Sequence, residues 1–567
     1  MDFTERSTRA YRTKQLYTKE ELLARESLCV HEQPAFCAAA CPLRIDGREL
    51  AREVAEGDFT AARARLERAA PFARILAALC EAPCAAKCRL NEVQGCEGVS
   101  LPALERAAMR HGRPRTGRGL LRFKKKKTAA VFGAELFTLV LAAEFAGKSY
   151  PTTFYAAEGS AAELIAACAP GLGAEDAALA AEELEALDLK LVLGCTLTRE
   201  FVSAEREKYD LAAVSRGCLA ALDAWEPDAV TLYCEGARVL ARPLDGEGAL
   251  RAFYDARRAG VSADRLAQGM DPAGSRGEEG PVASTLYTDL SAVKATKRVP
   301  ENGVYSPEEA QNEAQRCIQC ECAECIKGCA WMRHYGKFPR ILTREIYNNV
   351  GIIMGDHMMN GAINSCALCR QCTVTCPNGY DMAEICLSAR RNMVATGKMS
   401  LAVHEFALYD QLFSNGEAFL ARPQPGFEKC EYVFFPGCQA AACAPEAVWR
   451  TYTDLCERLP GGVGIILGCC GVMSHWAGRE ELFEETREQL RAALENLGGA
   501  RIITACPTCT STLAGLGECI GIWDILLDIG LPPDAPRAAG PVTLHDACGA
   551  RGDAHTQSAV RALAARL

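Results

Sequence analysis

The chain has 567 residues, a net charge of −9 and a hydrophobic fraction of 49%, a profile of a globular protein with roughly three or four domains of ordinary size. The acidic balance gives no electrostatic footprint for nucleic acid. The most apolar stretch, Val131 to Phe145, carries Glu135 and Glu144 and falls short of a bilayer span. The opening MDFTERSTRAYRTKQ is polar and charged, unlike a secretory signal, so a cytoplasmic location is expected. There are 31 cysteines, gathered in groups. In a long chain without a signal peptide such groups point to metal or redox chemistry rather than to a disulfide framework.

Residues 1–122 read as helical, Ala- and Arg-rich segments, with cysteines from Cys29 to Cys96. The run is Cys29-x2-Glu32-x4-Cys37-x3-Cys41-Pro42, followed by Cys80-x3-Cys84-x3-Cys88 and by Leu104-Glu105-Arg106. Over roughly residues 20–110 this resembles the N-terminal two-cluster domain of the glutamate synthase small subunit and dihydropyrimidine dehydrogenase. That family has a second cysteine where Glu32 stands here. The resemblance implies one cluster on Cys29, Cys37 and Cys88, with Glu32 either a fourth ligand or a surface acid. It implies a second cluster on Cys41, Cys80 and Cys84, with Glu105 at the position of the family's Gln or Glu ligand. A carboxylate is harder than a thiolate and would alter the potential. Cys96 reads as a small buried hydrophobe.

Beyond a linker at Arg113–Gly119, residues 123–300 hold isolated cysteines only. The Lys124–Lys127 run reads as a solvated approach to a strand at Thr128–Gly133. In the glutamate synthase family the next domain binds flavin and NADPH and opens with Gly-x-Gly-x-x-Gly. Of that motif only Gly133 is present; Glu135 and Thr138 occupy the other glycine positions, and Ala156 the position of the ribose-binding acid. Glu135 adds negative charge where a pyrophosphate would approach. The expectation is a degenerate Rossmann-like domain, with FAD unlikely on these residues, serving as spacer or docking surface. Its end, Asp255 to Arg265, still resembles the family's domain end.

After a linker at Asp271–Pro281, residues 301–424 hold two dense bursts. Cys366-x2-Cys369-x2-Cys372-x3-Cys376-Pro377 is the bacterial ferredoxin run, in which three thiolates on a tight loop grip one [4Fe–4S] cube and the fourth ligates the other. A zinc knuckle, the alternative, needs only two cysteine pairs. The partner run is Cys317-x2-Cys320-x4-Cys325-x3-Cys329. Crossing of the fourth residues puts Cys317, Cys320, Cys325 and Cys376 on one cluster, and Cys366, Cys369, Cys372 and Cys329 on the other. Cys322 is surplus and is open as a replacement for Cys320. Met354, Met358 and Met359 read as packing residues.

A third linker, Arg422–Gly426, leads into residues 425–567, which alternate strand-like runs (Tyr432–Phe435, Gly464–Leu467, Arg501–Thr504, Val542–Leu544) with helical stretches such as Glu480–Leu497. Each strand runs into cysteine, and in open parallel sheets the site lies at the strands' carboxyl ends. Cys438, Cys469-Cys470-Gly471 and Cys506-Pro507-Thr508-Cys509 resemble the CCG domain of heterodisulfide reductase and of the iron–sulfur subunits of glycerol-3-phosphate and lactate oxidation complexes. The resemblance implies a non-standard [4Fe–4S] assembly on Cys438, Cys469, Cys470, Cys506 and Cys509, able to act on a disulfide. His545-Asp546-Ala547-Cys548 resembles the opening of a second copy, which leads to the expectation of a truncated sequence. His475 and His545 are single histidines, read as structural or as proton donors.

The expected architecture is therefore multidomain α and α/β. It comprises a helical iron–sulfur domain (1–122), a degenerate Rossmann-like domain (123–300), an α-helical ferredoxin-type two-cluster domain (301–424) and an α/β CCG domain (425–567). The expected function is an oxidoreductase, or a redox-complex subunit, passing electrons through several [4Fe–4S] clusters to the CCG site and on to a disulfide, quinone or partner. Electron-donor and acceptor proteins are the expected partners, and any membrane association would run through them. The alternatives are an FAD- and NAD(P)H-dependent oxidoreductase and a non-catalytic zinc or thiol scaffold.

Overall fold

The computed structural model describes residues 14–114, 123–222, 226–243, 247–274, 276, 279–353, 355–400, 402–533, 535 and 537–567. The predicted linkers at 113–119 and 271–281, and Met354, lie partly or wholly outside them. Among the described residues, 30–322 form one compact unit, and 14–29 join 323–567 in another.

In the first unit, helices form where apolar residues recur at three- and four-residue spacing behind a capping side chain. Asp46 caps Gly47–Ala55, which buries Leu50, Ala51 and Val54. Asp58 caps Phe59–Ala69, which buries Phe59, Ala62 and Leu66. Helix Leu101–His111 packs on both, and Pro307–Ala314, started by a Ser306/Glu309 capping box, closes the group. The residues after this last helix, Cys317 to Cys322, thus belong with the N-terminal helices.

The same unit carries a sheet of β1 (Ala129–Phe132), β2 (Thr152–Tyr155), β3 (Lys190–Val192), β4 (Leu211–Val214), β5 (Tyr233–Cys234) and β6 (Val239–Leu240). The order is β3-β2-β1-β4-β6-β5, parallel except for β5. Strands β1, β2 and β4 are buried along their whole length, as in a sheet covered on both faces. Helix Leu136–Gly147 is apolar nearly all round and lies against the long helix Ala249–Ala267. Phe137, Leu139, Leu141 and Phe145 are wholly buried there, each contributing about 1.5–3 kcal/mol of transfer free energy. Lys124, Lys125 and Lys127 are exposed and pair with Asp188, Asp264 and Asp210, as a solvated approach to β1 requires.

In the second unit, residues 323–415 are helical among the described residues. Pro339–Gly351 and Met382–Ala395 pack around Met332, Leu342, Ile346, Ile363, Ile385 and Met393. Met359 borders this core, but Met358 is 83% exposed, so packing does not account for it. The rest is a second sheet: β7 (Leu420–Arg422), β8 (Tyr432–Phe435), β9 (Val463–Leu467), β10 (Arg501–Thr504) and β11 (Cys519–Gly521). Its order is β11-β10-β8-β9-β7, with β7 antiparallel. The strand predicted at Val542–Leu544 is absent: both residues are exposed, and without a neighbouring strand or core an apolar run of three has nothing to pair with. The edge is taken instead by β11. The chain is thus a mixed α/β multidomain protein with two mixed sheets.

Candidate metal centres

Strands β9, β8 and β10 are adjacent and parallel, so their carboxyl ends open on one side of the sheet. Cys469 and Cys470 follow β9, Cys438 follows β8 and Cys506 follows β10. Their thiols form a continuous series of contacts, Cys438 to Cys469, Cys469 to Cys470, Cys470 to Cys509 and Cys509 to Cys506. The hydrogen bond from Cys509, with backbone N–H groups of the same turn, pulls the Cys506 thiol down to about 5, leaving a thiolate at neutral pH, the form that binds metal. Two glycines shape the loops. Gly471 has φ +87°, and a Cβ there would meet Thr486 Cγ2 at 2.9 Å; Gly437 has φ +84° and a Cβ would meet Cys509 Sγ at 3.3 Å. The chain before the sheet clamps the Cys469–Cys470 loop. Asn415 accepts from Cys469 N–H (2.7 Å) and donates to its carbonyl (3.1 Å), and Gln411 accepts from Ser474 N–H (2.9 Å). His475, next along, is half-buried, and desolvation lowers its pKa, so it is neutral at pH 7. His545 is exposed.

In the ferredoxin-type region, short helices Glu324–Gly328 and Gln371–Thr375 pack on each other and end in Cys329 and Cys376. Each terminal cysteine bonds back to the one four residues earlier, Cys329 N–H to Cys325 O (2.9 Å) and Cys376 N–H to Cys372 O (3.0 Å). Leu368 and Arg370 adopt left-handed φ of 53° and 55°, a tight reversal that turns Cys366, Cys369 and Cys372 around one loop. Cys325, Cys329, Cys366, Cys372 and Cys376 border the same core, and Cys29 joins them. The Arg551 guanidinium stands 4.0 Å from Cys369 Sγ.

Sequence reasoning missed two residues here. Buried Cys386 exchanges a thiol hydrogen bond with Cys366 and, as the largest cause, lowers it to about 7. Arg390, buried, donates to the carbonyls of Ile363 (3.0 Å), Asn364 (3.1 Å), Cys366 (2.5 Å) and Trp476 (2.8 Å). One guanidinium therefore holds both the ferredoxin loop and the helix that follows Cys470. An arginine surrounded by carbonyls leaves no spacing signature in a sequence.

In the N-terminal unit, Cys41, Cys80, Cys84 and Glu105 face one another. Burial raises the Cys80 thiol to about 12, with the Glu105 charge next in effect, and raises Cys84 with the same second cause. Burial also lifts the Glu105 carboxyl to about 7. These four donors fit the second cluster that the resemblance implies. Cys37 and Cys88 share a cleft with Cys317 and Cys320; Cys29 packs on the ferredoxin core, and Glu32 is exposed. Of the expected set Cys317, Cys320, Cys325 and Cys376, the helix Pro307–Ala314 carries the first two to the N-terminal core, while Cys325 and Cys376 lie at the ferredoxin-type core. Cys322 is buried with Val30, Ala35 and Leu286. Cys96 is half-buried and hydrogen-bonded, accepting from Thr296 N–H at 3.3 Å, not the buried hydrophobe expected.

At β1, Gly133 has φ +87°, and a Cβ would lie 2.2 Å from Ser215 Oγ. The Glu135 carboxylate sits at the start of helix Leu136–Gly147. It accepts from Arg216 N–H and Nε (both 2.9 Å) and pairs with Arg242 at 3.4 Å. Buried Thr138 turns its hydroxyl back to the Gly133 carbonyl (2.7 Å). Side chains of this protein thus fill the ground that a glycine-rich loop leaves open.

Among the described residues, no three His, Cys, Asp or Glu side chains converge closely enough for a single metal ion; in a cube each thiolate takes its own corner. No helix is long and apolar enough to cross a membrane, among the described residues. Comparison with curated proteins returns no match. Three family models match the chain. Residues 6–116 match dihydropyrimidine dehydrogenase domain II, 4Fe-4S cluster; residues 316–381 match a 4Fe-4S dicluster domain; residues 432–514 match a CCG cysteine-rich domain. The chain therefore carries the iron–sulfur domains of a multi-cluster electron-transfer protein, with redox partners implied.

Proposed function

We propose that this chain is an oxidoreductase, or a redox-complex subunit, in which the ferredoxin-type centre exchanges electrons with a CCG site on Cys438, Cys469, Cys470, Cys506 and Cys509. The observation that carries this reading is Arg390: its single guanidinium binds the carbonyl of Cys366 and that of Trp476, tying the ferredoxin loop to the helix that follows the Cys469–Cys470 loop. Bound iron–sulfur clusters supply one-electron redox chemistry. The protein's part is positional. Asn415 fixes the Cys469 backbone, Gly471 lets the loop turn beneath Thr486, and neutral His475 is available to take up a proton. The acceptor is a disulfide, a quinone or a partner protein. The sheet of the N-terminal unit serves as structure. The Glu135 carboxylate, neutralised by Arg216 and Arg242, takes the anion position at the helix N-terminus that a dinucleotide would use.

The test is anaerobic purification with measurement of iron, sulfide and acid-released flavin, then stopped-flow reoxidation of the reduced protein by a small disulfide and by a quinone. The proposal expects several clusters' worth of iron, no flavin, and reoxidation that is slowed in C470S while the remaining iron is retained. Stoichiometric FAD would overturn the reading of Glu135. Reoxidation in C470S at the rate of the unmutated protein would remove the CCG site from the electron path.

A further inference from the structure

We infer that Cys37, Cys88, Cys317 and Cys320 together hold one cubane cluster, drawn from two cysteine groups more than two hundred residues apart in sequence. The inference rests on the iron–sulfur reading of the chain and assigns ligands that neither matching family model joins, since one covers residues 6–116 and the other begins at 316.

The four thiols line one cleft whose walls include Phe36, Val99 and Leu101. The elements that carry them are firmly placed. Cys37 lies in helix Phe36–Ala40, and Cys88 caps the turn Arg89–Glu92. Cys317 and Cys320 follow helix Pro307–Ala314 on a loop reversed at Gln319, whose φ is +48°.

That loop is tied to the cleft from both sides. Arg48 donates to the Cys320 carbonyl at 2.7 Å, and Gln319 donates to the Arg48 carbonyl at 3.1 Å. At the start of the loop, Arg316 pairs with fully buried Glu313 (2.6 Å), which also accepts from Ser100 N–H (2.8 Å) and Val299 N–H (2.8 Å). A C-x2-C pair fastened in this way brings two soft ligands to a cleft that already holds two, which satisfies the four-thiolate demand of a cube. Arg48 and Arg89 line the same cleft and carry the positive charge needed beside four thiolates. Gly47 keeps the wall open: a Cβ there would stand 3.2 Å from Cys37 Sγ.

The arrangement also accounts for the N-terminal run. From that run Cys37 lines this cleft while Glu32 is exposed, and the later pair supplies two further thiols.

The test compares iron content and the reduced-state EPR spectrum of C37A, C317A and C37A/C317A in the full chain, purified anaerobically. If the two cysteines serve one cluster, each single variant loses about four iron atoms and the same EPR component. The double variant then loses no more than either single. Additive loss, about eight irons in the double variant, would assign them to separate clusters and overturn the inference. So would full iron in both single variants. If C317A does not fold, C320S, which keeps the carbonyl that Arg48 binds, is compared with C37A in the same way. A wild-type protein without iron would instead refute the iron–sulfur reading on which the inference rests.

Discussion

Replacing Gly471 with alanine tests whether the Cys469–Cys470 loop has its shape for the reason given. Gly471 stands at φ 87°, ψ 0°, where a non-glycine residue costs about 1–2 kcal/mol. The new Cβ would also lie 2.9 Å from Thr486 Cγ2 and 3.1 Å from Phe483 Cδ2, an overpacking that adds about 1–3 kcal/mol. The sum is about 2–5 kcal/mol of local stability. Hydrogen exchange by mass spectrometry on peptides spanning residues 463–513 reads this directly. At tenfold per 1.4 kcal/mol, G471A should exchange roughly 30-fold faster or more. The double variant G471A/T486S removes the nearer methyl while keeping the hydroxyl that accepts from Gln411 and donates to the Leu482 carbonyl. It should regain about 1 kcal/mol, roughly fivefold, because the Phe483 contact and the backbone strain persist. Unchanged exchange in G471A, or no recovery on adding T486S, would refute the packing argument.

Three further outcomes are expected. N415A leaves the Cys469 N–H and carbonyl without their partner, costing about 1–3 kcal/mol and lowering iron retention on chelator challenge; N415D, which keeps the acceptor alone, should fall between. R390M strands four carbonyls and should destabilise by about 3 kcal/mol or more, while R390K recovers little because an ammonium lacks the guanidinium fork; thermal unfolding of the two variants is the check. Asp264 is the pH test. Its desolvation opposes ionisation, but hydrogen bonds from Lys148, Tyr150 and Lys125 outweigh it and hold the carboxyl at about 2. Because the folded value lies below the unfolded one, the stabilisation is complete above about pH 4 and is lost as pH falls through about 2. With Asp264 partly exposed, D264N should cost about 1 kcal/mol at pH 7, a difference that closes in urea titrations toward pH 2.

The sequence by itself determined the local features. C-x2-C-x2-C-x3-C-P encodes its own loop, since the reversal at Leu368 and Arg370 and the short helix ending in Cys376 involve residues only a few positions apart. The three cysteine positions after β8, β9 and β10 were legible for the same reason: a short apolar run followed by Gly or Ala and Cys is a strand and its exit. The loss of the glycine-rich loop could also be read from Glu135 and Thr138. Only the tertiary structure decided which distant groups share a site. Cys317 and Cys320 are spaced like the start of a ferredoxin run, yet the burial of Glu313 and the hold of Arg48 carry them to Cys37 and Cys88. Cys29, spaced like the start of the N-terminal run, borders the ferredoxin core. Arg216 and Arg242 answer Glu135 from positions 81 and 107 residues away. Spacing specifies the geometry of a loop. The choice of partner between loops belongs to the packing of the helices that carry them.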